Sequence, residues 1–130
     1  MIKRAKRRVV VIDDNEMIRL TLRALLRAIG LDVVGEASNG RRGVQLVADT
    51  LPDLVCLDVV MPERDGLSIL PDIWAATPGV KVLLITAHSD RETVSRAIEL
   101  GVDGIIVKPF RQKQIHDEIC RVIQCPDQRN

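Results

Sequence analysis

Four apolar runs in this chain end in residues that can do polar chemistry. Arg8-Val9-Val10-Val11-Ile12 runs into Asp13-Asp14, and Asp53-Leu54-Val55-Cys56-Leu57 runs into Asp58. Lys81-Val82-Leu83-Leu84-Ile85 ends at Thr86, and Gly104-Ile105-Ile106-Val107 ends at Lys108-Pro109. Short β-type runs bounded by turn signals read as buried strands. If those strands are parallel and adjacent, their carboxyl ends share the rim where open α/β sheets bind ligands. Asp13, Asp14 and Asp58 then form an oxygen-rich pocket suited to a hard cation such as Mg²⁺. Neighbouring carboxylates resist joint ionisation unless a cation lies between them. A free oxygen of Asp58 can attack a phosphoryl donor. Lys108, as a point charge, and Thr86, through its hydroxyl, can engage other phosphoryl oxygens.

Holding those groups at one rim requires strands alternating with covering helices. The first strand spans Arg8 to Ile12. Asn15 caps the helix that follows, with Glu16 in its first turn. Ile18, Leu22, Leu25, Leu26 and Ile29 make one apolar stripe, and Gly30 stops the helix. Arg19, Arg23 and Arg27 recur on the opposite side and read as a solvated face. The second strand runs from Asp32 to Glu36, Ser38-Asn39-Gly40 turn the chain, and a helix runs from near Gly43 to Asp49 with Val44, Val47 and Ala48 inward. After the central strand, Val59 to Pro62 turn away, and Asp65-Gly66 open a helix carrying Leu67, Ile69, Leu70, Ile73 and Trp74.

Pro71 lies inside that pattern, where its ring and missing N–H cost up to ~3 kcal/mol. The helix therefore either starts late or kinks there. Thr77-Pro78-Gly79 end it. The fourth strand is Val80 to Thr86. Ser89 or Asp90 caps a helix from Glu92 to Leu100, with Val94, Ala97, Ile98 and Leu100 inward and Gly101 as its stop. The fifth strand is Gly104 to Val107, and Ile115, Ile119, Val122 and Ile123 mark a last helix. Such alternation predicts βαβ units on a parallel sheet, and unbroken apolar strands fit a sheet covered on both faces.

With 130 residues, one domain is expected. It spans 8–124, after a basic tail at 1–7 and before a tail or linker start at 125–130. Lys3, Arg4, Lys6, Arg7 and Arg8 crowd the amino terminus and read as a solvated tail at the first strand. A net charge of +1 gives no case for direct nucleic-acid binding. No run approaches a membrane span or a signal sequence. Three cysteines, without metal-ligand spacing, predict reduced thiols and a cytoplasmic setting. Cys56 reads as core packing.

Taken together, the motifs resemble the receiver domain of two-component response regulators, the CheY-like family. The carriers are Val10-Val11-Ile12-Asp13-Asp14-Asn15, Leu57-Asp58-Val59-Val60-Met61-Pro62 with Asp65-Gly66, Ile85-Thr86-Ala87 and Val107-Lys108-Pro109-Phe110. The resemblance covers about residues 7 to 123. It implies a flavodoxin-like (βα)5 doubly wound fold with strand order 2-1-3-4-5. It implies a phosphoprotein in which Asp58 accepts a phosphoryl group from a sensor histidine kinase or a histidine phosphotransfer protein. Asp14, Asp58 and the Val60 carbonyl would ligate Mg²⁺, with Asp13 acting largely through water. Thr86, Lys108, Ala87 and Val59 would surround the phosphoryl oxygens. The helix 4–strand 5–helix 5 face would then change its affinity for a downstream effector, an output domain or a second copy. No output-type sequence follows Gln124, which fits a stand-alone receiver or one taken from a longer regulator.

Two departures alter the expected switch. The family usually carries Tyr or Phe three residues before the lysine, whereas this chain has Ile105 there and no Tyr at all. No ring can swing between buried and exposed positions, so the readout would rest on Thr86, a loop movement or dimerisation. Val60 and His88, two residues past Asp58 and Thr86, occupy places that tune phosphoryl lifetime in the family. Val60 brings no polar group for a hydrolytic water, and His88 reads as an exposed loop residue. Two other functions compete. A Mg²⁺-dependent aspartyl-phosphate phosphatase would need a second acid where Val60 stands. A non-phosphorylated interaction module would not need the intact set of Asp13, Asp14, Asp58, Thr86 and Lys108.

Overall fold

The computed structural model describes residues 6–61, 65–87 and 91–124. In chain order the elements are β1 (Arg8–Ile12), α1 (Glu16–Ile29), β2 (Asp32–Ala37), α2 (Gly40–Thr50), β3 (Leu54–Leu57), α3 (Gly66–Ala76), β4 (Lys81–Thr86), α4 (Arg91–Leu100), β5 (Gly104–Val107) and α5 (Gln112–Ile123). The strands form one sheet in the order β2-β1-β3-β4-β5, and every neighbouring pair is parallel. This is the expected flavodoxin-like architecture.

Alternation along the strands sorts the core into two halves. Val10, Ile12, Val55, Leu57, Val82 and Leu84 pack with Val47 of α2, Leu67, Ile69, Leu70 and Ile73 of α3, and Ala97 of α4. Val9, Val11, Leu54, Cys56, Leu83 and Ile85 pack with Leu22 and Leu26 of α1 and with Ile115 and Ile119 of α5. Burying each such side chain is worth roughly 1.5–3 kcal/mol, so the sheet is fixed from both faces.

Local signals set the helix ends. Asn15 Oδ1 accepts the Ile18 N–H at 3.1 Å and starts α1. Gly30 ends it at φ 100°, a left-handed conformation that glycine adopts freely. Helix α2 begins at Gly40 rather than near Gly43. Asn39, expected only to turn the chain, caps it by accepting the Arg42 N–H at 2.9 Å. Strand β2 runs one residue further than expected, to Ala37, because the ladder with β1 continues there. Asp65 caps α3 through the Ser68 N–H at 2.9 Å, so that helix does not start late and Pro71 stands well inside it.

Three apolar assignments need correction. Ala48 faces solvent, and Ile98 and Leu100 of α4 are 63% and 38% exposed. Only Ala97 of α4 is buried, with Val94 half-buried, so this helix touches the core along a narrow strip. Ser89 and Asp90, named as its caps, lie outside the described residues, as do His88, Pro62, most of the basic tail and the 125–130 tail.

Burial pushes the free Cys56 thiol up to about 12. Cys120 is disulfide-bonded, against the expectation of reduced thiols. Among the described residues, Cys56, sealed within the sheet, is the free cysteine. At the β5 end of the sheet, Arg121 of α5 donates to the Asp103 carbonyl at 2.8 Å and pairs with Glu118 at 2.8 Å. The Glu118 carboxylate is held low, first by Arg121 and also by the Ile105 backbone N–H. Among the described residues, no helix is long and apolar enough to cross a membrane.

Candidate functional site

The register of the sheet brings the strand-terminal residues together. Ile12 pairs with Leu57, so Asp13 and Asp58 leave β1 and β3 side by side. Leu57 pairs with Leu84, and Thr86 with Val107, so Thr86 and Lys108 leave the sheet at the same rim. Backbone hydrogen bonds continue past the strand ends and fix these positions. Asp13 N–H donates to the Ala37 carbonyl at 3.0 Å, Asp58 N–H to Ile12 at 2.9 Å and Lys108 N–H to Thr86 at 2.8 Å. The Lys108–Pro109 peptide bond is cis.

One carboxylate oxygen from each of Asp13, Asp14 and Asp58 lies within 4.8 Å of the others. Asp13 and Asp58 are 1% and 6% exposed, whereas Asp14 faces solvent. Lys108 Nζ reaches in from the β5 side, 2.9 Å from Asp13 Oδ2 and 3.5 Å from Asp58 Oδ2. Asp13 Oδ1 accepts the Asn15 N–H at 2.9 Å, so both Asp13 oxygens are engaged. Among the described residues, Asp58 Oδ1 has only a long contact, 3.4 Å, from the Val60 N–H. Among the described residues, Asp58 and Asp14 are therefore the carboxylates with oxygens open to a cation.

Electrostatics agree. The Asp58 carboxyl sits above the ordinary carboxylate range, chiefly because burial disfavours its charge and next because Asp13 repels it. Lys108 and the Val60 N–H offset this, and Asp14 adds to the repulsion. Among the described residues, three carboxylates face one ammonium, which leaves an excess of acidic groups there. An oxygen-only donor set of that kind fits a hard divalent cation.

Thr86 is buried at the end of β4, Val59 is buried beside Asp58, and Val60 and Ala87 are exposed. Ile105 is half-buried and packs on the α2–α3–α4 side of the core. All the expected site residues thus lie on or beside one rim, except that Ile105 stands one strand-step below it.

Two contributors were not anticipated. Gly66 opens α3 directly beneath the acid, where a Cβ would fall 2.2 Å from the Asp58 carbonyl oxygen. Arg19 is the other. It was read as part of a solvated stripe, yet its Nη1 donates to the Asp13 carbonyl at 2.7 Å and its Nε lies 3.6 Å from Glu36 Oε1. Arg23 also pairs with Glu36, at 3.0 Å. The signal lay in Glu36, which stands next to the end of β2 beside β1 and within reach of α1. A groove of about 420 Å³ between α1 and α5, lined by Leu25, Ala28, Ile29, Gln112, Lys113 and His116, holds none of the acidic cluster.

Comparison with known proteins agrees with this geometry. The profile of the response regulator receiver domain matches residues 9–120. Protein CcdB of Bacillus subtilis (strain 168) is 36% identical over 116 residues, which cover 89% of this chain and 97% of that protein. The chemotaxis protein CheY of Thermotoga maritima is 32% identical over 116 residues, with the same coverage of 89% and 97%. Among solved structures, the signal receiver domain of the putative response regulator NarL from Mycobacterium tuberculosis superposes with a TM-score of 0.84. It is 31% identical, and the match covers 95% of this chain and all of that one.

Proposed function

Because the chain belongs to the response regulator receiver domain family, we propose that it is a phosphorylation-controlled switch of two-component signalling whose phosphoacceptor is Asp58. The observation that carries this reading is the Asp58 carboxylate itself. It is nearly sealed from bulk solvent, one oxygen has only a weak contact among the described residues, and an ammonium stands 3.5 Å from the other. The donor is a phosphohistidine of a sensor histidine kinase or a histidine phosphotransfer protein. An Asp58 oxygen attacks phosphorus, the P–N bond breaks, and the leaving imidazole takes up a proton. An aspartyl phosphate results.

Asp14, Asp58 and the backbone carbonyl of Val60 would hold Mg²⁺, with Asp13 linked through water. When bound, the ion neutralises charge on the transferring group. The chain's own groups do the rest. Lys108 balances the acids and meets a phosphoryl oxygen, while the Thr86 hydroxyl and the backbone of Ala87 and Val59 orient the others. Val60 offers no carboxylate to activate water, which favours a stored phosphoryl group over turnover. Phosphorylation changes the charge at Asp58 and biases a two-state element. We place the output on the α4–β5–α5 face, where Ile98, Leu100 and Val107 are exposed, toward an effector, an output domain or a second copy.

Incubation with acetyl phosphate and Mg²⁺, followed by intact-mass measurement, tests the assignment. One phosphoryl group should add to the wild type, only with Mg²⁺, and none to Asp58→Asn. Equal modification of the mutant would refute the site. Steady turnover of small phosphomonoesters would favour a phosphatase instead, and a wild type that never accepts phosphate would leave an interaction module on this fold.

A further inference from the structure

Building on the functional reading above, we propose that Arg19 is a positioning residue for the cation-binding loop, acting through the backbone carbonyl of Asp13. Every polar group of Asp13 is held. Its N–H donates to the Ala37 carbonyl at 3.0 Å, Oδ1 accepts the Asn15 N–H at 2.9 Å and Oδ2 accepts Lys108 at 2.9 Å. The fourth group, the carbonyl, accepts Arg19 Nη1 at 2.7 Å.

That fourth bond has a specific consequence. The Asp13 carbonyl and the Asp14 N–H belong to one planar peptide unit. Pinning the carbonyl fixes the plane from which Asp14 departs, and Asp14 is the acid of the cluster most exposed to solvent. The donor is charged, which strengthens the bond. The donor is itself held, because the Arg19 side chain is only 18% exposed and its Nε lies 3.6 Å from Glu36, which Arg23 grips at 3.0 Å from the far side. Glu36 pairs in register with Val11, two residues before Asp13. A chain of contacts therefore runs from Arg23 through Glu36 and Arg19 to the peptide that carries Asp14. A cation near a Mg²⁺ site would weaken metal binding by repulsion, but Glu36 partly offsets this one. The positioning effect should therefore exceed the repulsion.

The test compares Arg19→Met, Arg19→Lys and Arg23→Met with wild type in the full chain, each checked for cooperative melting by circular dichroism. Calorimetric Mg²⁺ titration should show Arg19→Met weakened by about tenfold, the lower end of the range for loss of an outer-shell partner. Arg19→Lys should regain most of that affinity. Arg23→Met, which loosens the same ion-pair network without touching Asp13, should lose clearly less than Arg19→Met. In metal-free protein, NMR-detected exchange of the Asn15 amide should quicken in Arg19→Met alone. Unchanged or tighter Mg²⁺ binding by Arg19→Met, or equal losses in Arg19→Met and Arg23→Met, would overturn the inference. Failure of wild type to bind Mg²⁺ would sink the functional reading instead. The Asn15 exchange rates would then decide the role of Arg19, with equal rates in the two methionine variants counting against it.

Discussion

The ammonium of Lys108 lies closer to Asp13, at 2.9 Å, than to Asp58, at 3.5 Å. It therefore rests on Asp13 and remains within reach of Asp58, the proposed phosphoacceptor. Lys108 is also the main group drawing the Asp58 carboxyl downward. In Lys108→Met that carboxyl rises further, and two buried acids lose their cation. Urea melts at neutral pH should show a loss of roughly 1.5–3 kcal/mol, the range for a hydrogen bond to a charged group. The loss should shrink as Asp58 protonates at low pH. A deficit independent of pH would argue that the lysine only packs.

Asp58→Asn should be more stable than wild type at neutral pH. Burial and Asp13 raise the Asp58 carboxyl above its unfolded value, so the folded state binds the extra proton. Its ionisation then removes stability as pH climbs through the raised value. The melting temperatures of mutant and wild type should separate near neutrality and converge in acid, once wild-type Asp58 is protonated. A mutant less stable than wild type at neutral pH would show that Lys108 outweighs desolvation.

Mg²⁺ should stabilise the wild type by mass action, by about 2.7 kcal/mol at a hundred times its dissociation constant. Asp14→Asn should lose most of this gain, because Asp14 is one of the two acids with an open oxygen. Thermal melts with Mg²⁺ against EDTA make the comparison. An equal gain in both proteins would place the cation elsewhere.

Gly66→Ala sets a methyl group 2.2 Å from the Asp58 carbonyl oxygen, with backbone on both sides and no flexible side chain to yield. Overpacking of this kind costs about 1–3 kcal/mol. The shift should fall on the loop that presents Asp58. Acetyl phosphate labelling should slow more than the loss of stability accounts for. Normal labelling of a destabilised protein would limit Gly66 to a packing role.

The strands that carry the rim, and the acidic rim itself, could be read from sequence, because β1, β3, β4 and β5 are apolar runs leading into Asp13-Asp14, Asp58, Thr86 and Lys108, whereas the strand order came with the family resemblance. Helix caps with an Asx side chain and a glycine stop were readable for the same local reason, as at Asn15 and Gly30. What escaped was non-local. Arg19 belongs to a stripe that looks solvated along α1, and only the return of β2 brings Glu36 beneath it. Ile98 has the spacing of an inward residue, but α4 meets the core through Ala97 alone among its buried positions. Asn39 looked like a turn residue because its partner, the Arg42 amide, becomes available only once α2 has formed.

The Glu118–Arg121 pair on α5 also bears on what can attach to the end of the sheet. By taking the Ile105 N–H and the Asp103 carbonyl, it occupies backbone groups that an incoming strand would need. Unshielded sheet margins invite edge-to-edge aggregation, and here a salt-bridged helix serves as the guard rail. At this end of β5, sheet extension is thereby disfavoured, and side-chain contact is the easier way for a partner to engage it.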